Sequence, residues 1–194
     1  KGQILLALGQ PEAAQALFLE AVTSYPRSYY AYLSLVWLVE AGYPVDELQR
    51  GLIDYYAGEY MLALAAFERY LAGTPTESAA ALYYKGLILR EQDDLAGALA
   101  AWDSVIQLYA NHYLWDEAWE EKAYTQWAYQ GDYAGGLGTL VDFITAAPAH
   151  PRAAEFLFNA GRVAERDGRL AVAAQLWLRL PVEYPAAEYT YRGP

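Results

Sequence analysis

Four carboxylates crowd the start of one predicted helix in WDEAWEEKAY, residues 115 to 124: Asp116, Glu117, Glu120 and Glu121. Paired carboxylates are the machinery of glycoside hydrolysis, one as acid and the other as base or nucleophile. That chemistry needs one of the two held protonated by an apolar setting. Here Asp116 with Glu120, and Glu117 with Glu121, are like-charge pairs one helical turn apart, and the adjacent sequence offers no such pocket. The four read as a solvated acidic face at a helix start, where the helix dipole favours negative charge. Trp115 and Trp119 are then core or groove aromatics.

Other chemistries fare no better. A metal site needs clustered ligands, yet His112 and His150 both fall in connectors, and His112 with Asp116 is the nearest approach to a pair. GDYAGGLGTL (131 to 140) is glycine-rich but lacks the lysine and spacing of a phosphate loop. Its glycines suggest a loosely packed helix, each costing about 1 kcal/mol relative to alanine. Neither histidine accompanies a nucleophile elbow, so Ser-His-Asp chemistry is not supported. The expectation is a chain with no catalytic residues, no cofactor and no metal.

Composition narrows the partners. Net charge is −11, with 24 acidic against 13 basic side chains, so a nucleic-acid backbone would be repelled. The 56% apolar content can bury a substantial core, while no apolar run reaches the roughly 18 residues of a membrane span. Cysteine is absent, which removes disulfides and thiolate chemistry. The chain opens on Lys1, and we expect it to be a piece of a longer protein.

The elements that must position all these residues follow a repeat. Gly58, Ala63, Phe67 and Pro75 recur as Gly168, Ala173, Trp177 and Pro185, and as Gly9, Ala14, Phe18 and Pro26. Two looser copies are Gly131, Gly136, Leu140, Pro148 and Asp93, Ala98, Trp102, Ala110. Seven residues before each turn stand Gly2, Gly51, Gly86 and Gly161, with Tyr124 the exception. The unit is a helix, a tight turn and a second helix, about 34 residues long. The turn residue ends the first helix in the left-handed region. Alanine admits a close approach, the aromatic fills the space one turn on, and proline stops the second helix.

Paired helices are predicted at about 46–56 and 59–73, 78–91 and 94–109, 114–130 and 133–146, and 152–166 and 170–180. Before them come 1–7, 11–24 and an extra helix at 29–42. The domain is a single array over 1–194: a partial repeat 1–27, the extra helix, then repeats at about 44–77, 79–112, 114–149 and 152–185. Pro181 predicts a kink or early stop in the last helix. No segment alternates with period two, so no sheet is expected. Each unit leaves an apolar face that only its neighbour can cover, so the copies must stack.

This glycine, alanine, aromatic and proline pattern resembles the tetratricopeptide repeat, over nearly the whole chain. The resemblance implies an all-α solenoid of antiparallel helix pairs, a TPR-like right-handed superhelix. A second likeness is narrower. SYPRSYYAYLSLVWLVEAG (24 to 42) and EYPAAEYTYR resemble segments of the N-terminal superhelical region of soluble lytic murein transglycosylases. That family's catalytic Glu-Ser pair is followed by a Gly-Leu-Met-Gln type segment. Glu77-Ser78 here is followed by AAALYYKG, and reads as the first turn of a helix.

By the tetratricopeptide resemblance, a ligand groove would carry Leu52, Tyr55, Tyr83, Arg90, Glu121, Phe158, Arg162 and Glu165. The lysine and asparagine pattern with which some relatives clamp a chaperone tail is absent. With 19 Tyr and 6 Trp in the chain, such a groove could hold an extended peptide or stack on sugar rings. Two functions follow from the resemblances: a non-catalytic scaffold within a lytic transglycosylase-like peptidoglycan enzyme, hence extracytoplasmic, or a stand-alone adaptor for a peptide or partner protein. Exposed end repeats also lead us to expect self-association.

Overall fold

All five predicted turn residues take the left-handed conformation: Gly9, Gly58, Gly131 and Gly168 at φ 71, 82, 69 and 75°, and Asp93 at 64°. Those turns cut the chain into helices. The computed structural model describes residues 1–191, and among these there is no strand. In order the helices are α1 (Gly2–Ala7), α2 (Pro11–Ser24), α3 (Tyr29–Glu40), α4 (Glu47–Tyr56), α5 (Tyr60–Ala72) and α6 (Ser78–Glu91). They continue as α7 (Leu95–Leu108), α8 (Trp115–Tyr124), α9 (Tyr133–Ala146), α10 (Ala153–Arg166) and α11 (Leu170–Glu183). A π-helical turn, Thr125–Tyr129, prolongs α8, and a short 3-10 turn, Glu188–Tyr191, follows α11. The architecture is all-α, of the solenoid type, built from consecutive helix pairs.

The glycine seven residues before the turn has a specific task. A Cβ on Gly51 would lie 2.5 Å from the Phe67 ring, one on Gly2 would lie 2.4 Å from Phe18, and one on Gly161 would lie 2.2 Å from Trp177. Each pair therefore closes by seating the aromatic of its second helix in the hollow that glycine leaves on the first. The fourth repeat reverses this arrangement. Tyr124 occupies the glycine position, and a Cβ on Gly136 of α9 would meet Trp127 of the π turn at 2.9 Å and the Ala123 carbonyl at 3.0 Å. Ring and hollow have changed helices.

Gly136 also corrects the expectation of a loosely packed glycine-rich helix. α9 runs unbroken for 14 residues, and Asp132 caps it by accepting the Gly135 N–H at 2.8 Å. The stop expected at Pro181 does not occur either, because α11 continues to Glu183. Residues 182 and 183 still belong to the helix, whose end is closed by the Tyr184 N–H donating to the Leu180 carbonyl at 2.8 Å.

The chain divides into two compact units, Lys1–Ile88 and Leu89 onward, with the division inside α6. The first has one cluster around Val22, Leu35, Leu38 and Ile53 and another around Ala63, Phe67, Ala81 and Ile88. The second has a larger core that includes Trp115, Leu140, Phe143, Phe156 and Leu157, with the Phe143 and Phe156 rings stacked at 3.7 Å.

Candidate functional site

The acid-rich start of α8 is not a solvated face, as its sequence suggested. Arg152, one residue before α10, reaches Asp116 at 3.1 Å, Glu117 at 3.4 Å, Glu120, and Glu155 at 2.8 Å. Burial opposes the Arg152 charge, but hydrogen bonds to the Glu155 and Glu120 carboxylates outweigh it and raise its pKa. Glu121 pairs with Arg90, and Lys122 with Asp103 at 2.6 Å. Burial pushes the Glu117 carboxyl up, against the pull of Arg152. The cluster is a network of ion pairs.

Beside this network, in the second unit, lies a cavity of about 360 Å³. Glu120, Glu121 and Tyr124 from α8 and Trp127 from the π turn line one side. Asn159, Arg162 and Arg166 of α10 line another, at i, i+3 and i+7 and hence on one helical stripe. Arg90, at the end of α6, completes the polar lining. Its side chain is only 10% exposed, and its guanidinium sits 5.4, 5.6 and 5.2 Å from the ring centres of Trp102, Tyr124 and Tyr129. That is cation–π distance. Nη1 donates to Glu121 and, at 3.4 Å, to the Thr125 hydroxyl, while Nε is buried without a hydrogen-bond partner.

The charges that line the cavity differ in kind. Glu120 and Glu121 are committed to Arg152 and Arg90. Arg162 and Arg166 are exposed and in no ion pair among the described residues, although Arg166 lies 4.6 Å above the Trp127 ring. The cavity therefore holds two cations with no anion of their own. A π turn within an α-helix is often associated with function, and here it places Trp127 against that stripe.

Of the predicted groove residues, Arg90, Glu121 and Arg162 come together in this cavity. The others lie elsewhere. Leu52 and Tyr55 pack against the Phe67 cluster of the first unit, and Tyr83 is buried there at 8% exposure. Phe158 packs on the second core, its carbonyl accepting the Trp177 indole N–H at 3.2 Å. Glu165 is exposed and does not line the cavity. Tyr124, Trp127, Asn159 and Arg166 escaped the sequence reading. The Asn159, Arg162, Arg166 spacing was a usable signal, whereas nothing in the sequence announced the π turn.

The remaining candidates are structural. His112 and His150 play one part twice, each Nδ1 accepting a backbone N–H two residues on, from Leu114 and Arg152, both at 3.2 Å. Ser78 opens α6, and the N–H groups of Thr76 and Glu77 donate to the Tyr70 hydroxyl at 3.2 and 2.9 Å. In the first unit, Asp54 of α4 is 3% exposed, and burial pushes its carboxyl up to about 6 against the pull of Arg50, 3.8 Å away. A second cavity, of about 410 Å³, is lined in the first unit chiefly by apolar groups, among them Phe18, Leu33 and Trp37.

No group of three or more metal-ligating side chains occurs among the described residues, and no helix there is long and apolar enough to cross a membrane. A family model described as tetratricopeptide repeat matches residues 1–42, 48–113 and 128–188, well over half of the chain. No curated protein matches it.

Proposed function

The chain belongs to the tetratricopeptide repeat family, and from that premise we propose a protein-interaction scaffold whose second unit binds an extended polypeptide segment in the cavity between α8, the π turn and α10. The observation that supports this most is the cavity's make-up. It joins an aromatic wall, Tyr124 and Trp127, to Asn159 and to Arg162 and Arg166, two cations in no ion pair among the described residues. Apolar area with a few orienting polar groups is the usual make-up of a binding site. A selection of displayed peptides on the whole chain tests the reading. Enriched peptides should bind at micromolar strength, about −8 kcal/mol, and lose at least about tenfold against Asn159→Trp, which fills the cavity. No enrichment, or equal binding to N159W, would count against it.

A second reading keeps the array as a piece of a lytic transglycosylase-like enzyme of the cell envelope, set on peptidoglycan and extracytoplasmic. It draws on the tyrosine-rich segment 24–42, where Tyr25, Tyr29 and Tyr30 remain 62, 69 and 75% exposed, as rings available for stacking on sugars. Sedimentation with purified peptidoglycan decides this one. Retention of the wild type, lost on Tyr29→Ala plus Tyr30→Ala, favours it, and no retention removes it. Alanine at Tyr55 and Tyr83 would not serve, because both rings belong to packed regions of the first unit.

A further inference from the structure

Arg162 and Arg166 stand one helical turn apart on the face that lines the cavity, which sets their Cβ atoms about 6 Å apart. In an extended chain, alternate residues are about 6.6 Å apart and point the same way. We propose that the cavity selects an internal, extended segment with acidic residues at alternate positions, Arg162 and Arg166 each receiving one carboxylate. This rests on the scaffold reading above and names the chemistry of its ligand.

Charge accounting supports the choice. The acids nearest the stripe, Glu120 and Glu121, are held by Arg152 and Arg90, so they do not neutralise the α10 pair. Arg90 spends its charge on Glu121, but its Nε, in a side chain only 10% exposed, has no hydrogen-bond partner. A carboxylate offers the geometry a guanidinium matches best, two oxygens against two N–H groups. The rest of the chain, at net −11, repels acidic peptides. Binding of such a peptide therefore reports this cavity and not the general surface. Tyr124 and Trp127 give the residue beyond the acidic pair an apolar wall to lie on.

The test uses the whole chain and peptides capped at the N-terminus by an uncharged BODIPY fluorophore and amidated at the C-terminus, so that neither terminal nor dye charge takes part. The probe is Gly-Ser-Glu-Leu-Glu-Leu-Ser-Gly. It is compared with the same peptide carrying glutamine for both glutamates, and with one whose glutamates are adjacent. By anisotropy the alternate-acid peptide should bind at least about tenfold tighter than the glutamine peptide and more tightly than the adjacent-acid one. Raising salt should narrow the gap. The double variant Arg162→Gln plus Arg166→Gln, both exposed side chains, should remove the preference with helicity and Tm unchanged. Arg162→Glu should weaken the acidic probe further. Equal binding of acidic and glutamine peptides, both abolished by N159W, would overturn the inference while leaving the scaffold reading in place. An undiminished preference in the double variant would overturn the inference too, and binding of neither peptide would count against both.

Discussion

The aromatic residues of the two units are spent differently. In the first, Tyr55, Tyr56, Tyr60, Tyr83 and Tyr84 meet one another with ring centres 5.0 to 6.0 Å apart, and the Tyr56 and Tyr84 hydroxyls are hydrogen-bonded at 2.7 Å. In the second, Tyr124, Tyr129 and Trp127 carry cations that line the cavity, Arg90 over the first two and Arg166 over Trp127, whereas in the first Arg27 lies 4.9 Å over Tyr56 and neither residue lines either of the two cavities. The same repeat thus gives a self-satisfied aromatic cluster in one place and a lined cavity in the other. The cause is one exchange. Where Gly51 receives Phe67 in the first unit, Tyr124 stands in the second, and the ring-in-hollow contact is carried by Trp127 and Gly136. Tyr124 is left 41% exposed at the cavity. Aromatic richness alone does not mark a binding site; cations in no ion pair, set beside aromatic rings in a cavity, do.

The contrast can be broken at its core. Phe67 is fully buried against the Gly51 hollow, so Phe67→Ala should destabilise the chain by about 3–5 kcal/mol, measured by urea unfolding. Repeat arrays respond locally, so amide exchange should accelerate in α4 and α5 and leave α10 unchanged. The matching break in the second unit is Arg152→Gln, which strands Asp116, Glu117, Glu120 and Glu155 together. The partners are 15 to 44% exposed, so we expect a loss of about 2 kcal/mol, less than for a fully buried pair. High salt should recover part of it.

Asp54 sharpens the comparison, since it is a buried carboxylate in the first unit. Its folded pKa, about 6, lies above the unfolded value, so the folded state holds the extra proton. Its contribution is fully present below about pH 4 and is lost as pH rises through 6. Asp54→Asn should therefore raise stability by about 1–2 kcal/mol at pH 7 and flatten the decline between pH 4 and 6, read by thermal melts across pH. The smallest effect is at Gly138 of α9, where an added Cβ meets nothing within 4 Å. Gly138→Ala should stabilise by about 0.5–1 kcal/mol, whereas Gly136→Ala, two residues earlier, should destabilise.

The fold was legible because its signals are local and periodic. The helices expected at 11–24 and 133–146 are Pro11–Ser24 and Tyr133–Ala146, and the turn positions sit where left-handed glycines belong, even where Asp93 replaces one. The site was legible only in part. Arg90, Glu121 and Arg162 could be named from their place on first helices. The pairing of Arg152 with Asp116 could not, since 36 residues separate them and only the stacking of neighbouring repeats brings them together. Trp127 was hidden for another reason: the π turn rotates it off the face that a regular helix would give it.

The most direct test of the central claim is hydrogen exchange of the whole chain with and without the tightest displayed peptide. Slowed exchange confined to residues 120–129 and 156–166 is the result expected if the second unit's cavity is the binding site. Protection centred on α4 and α6, where the tyrosines pack on one another, would contradict it.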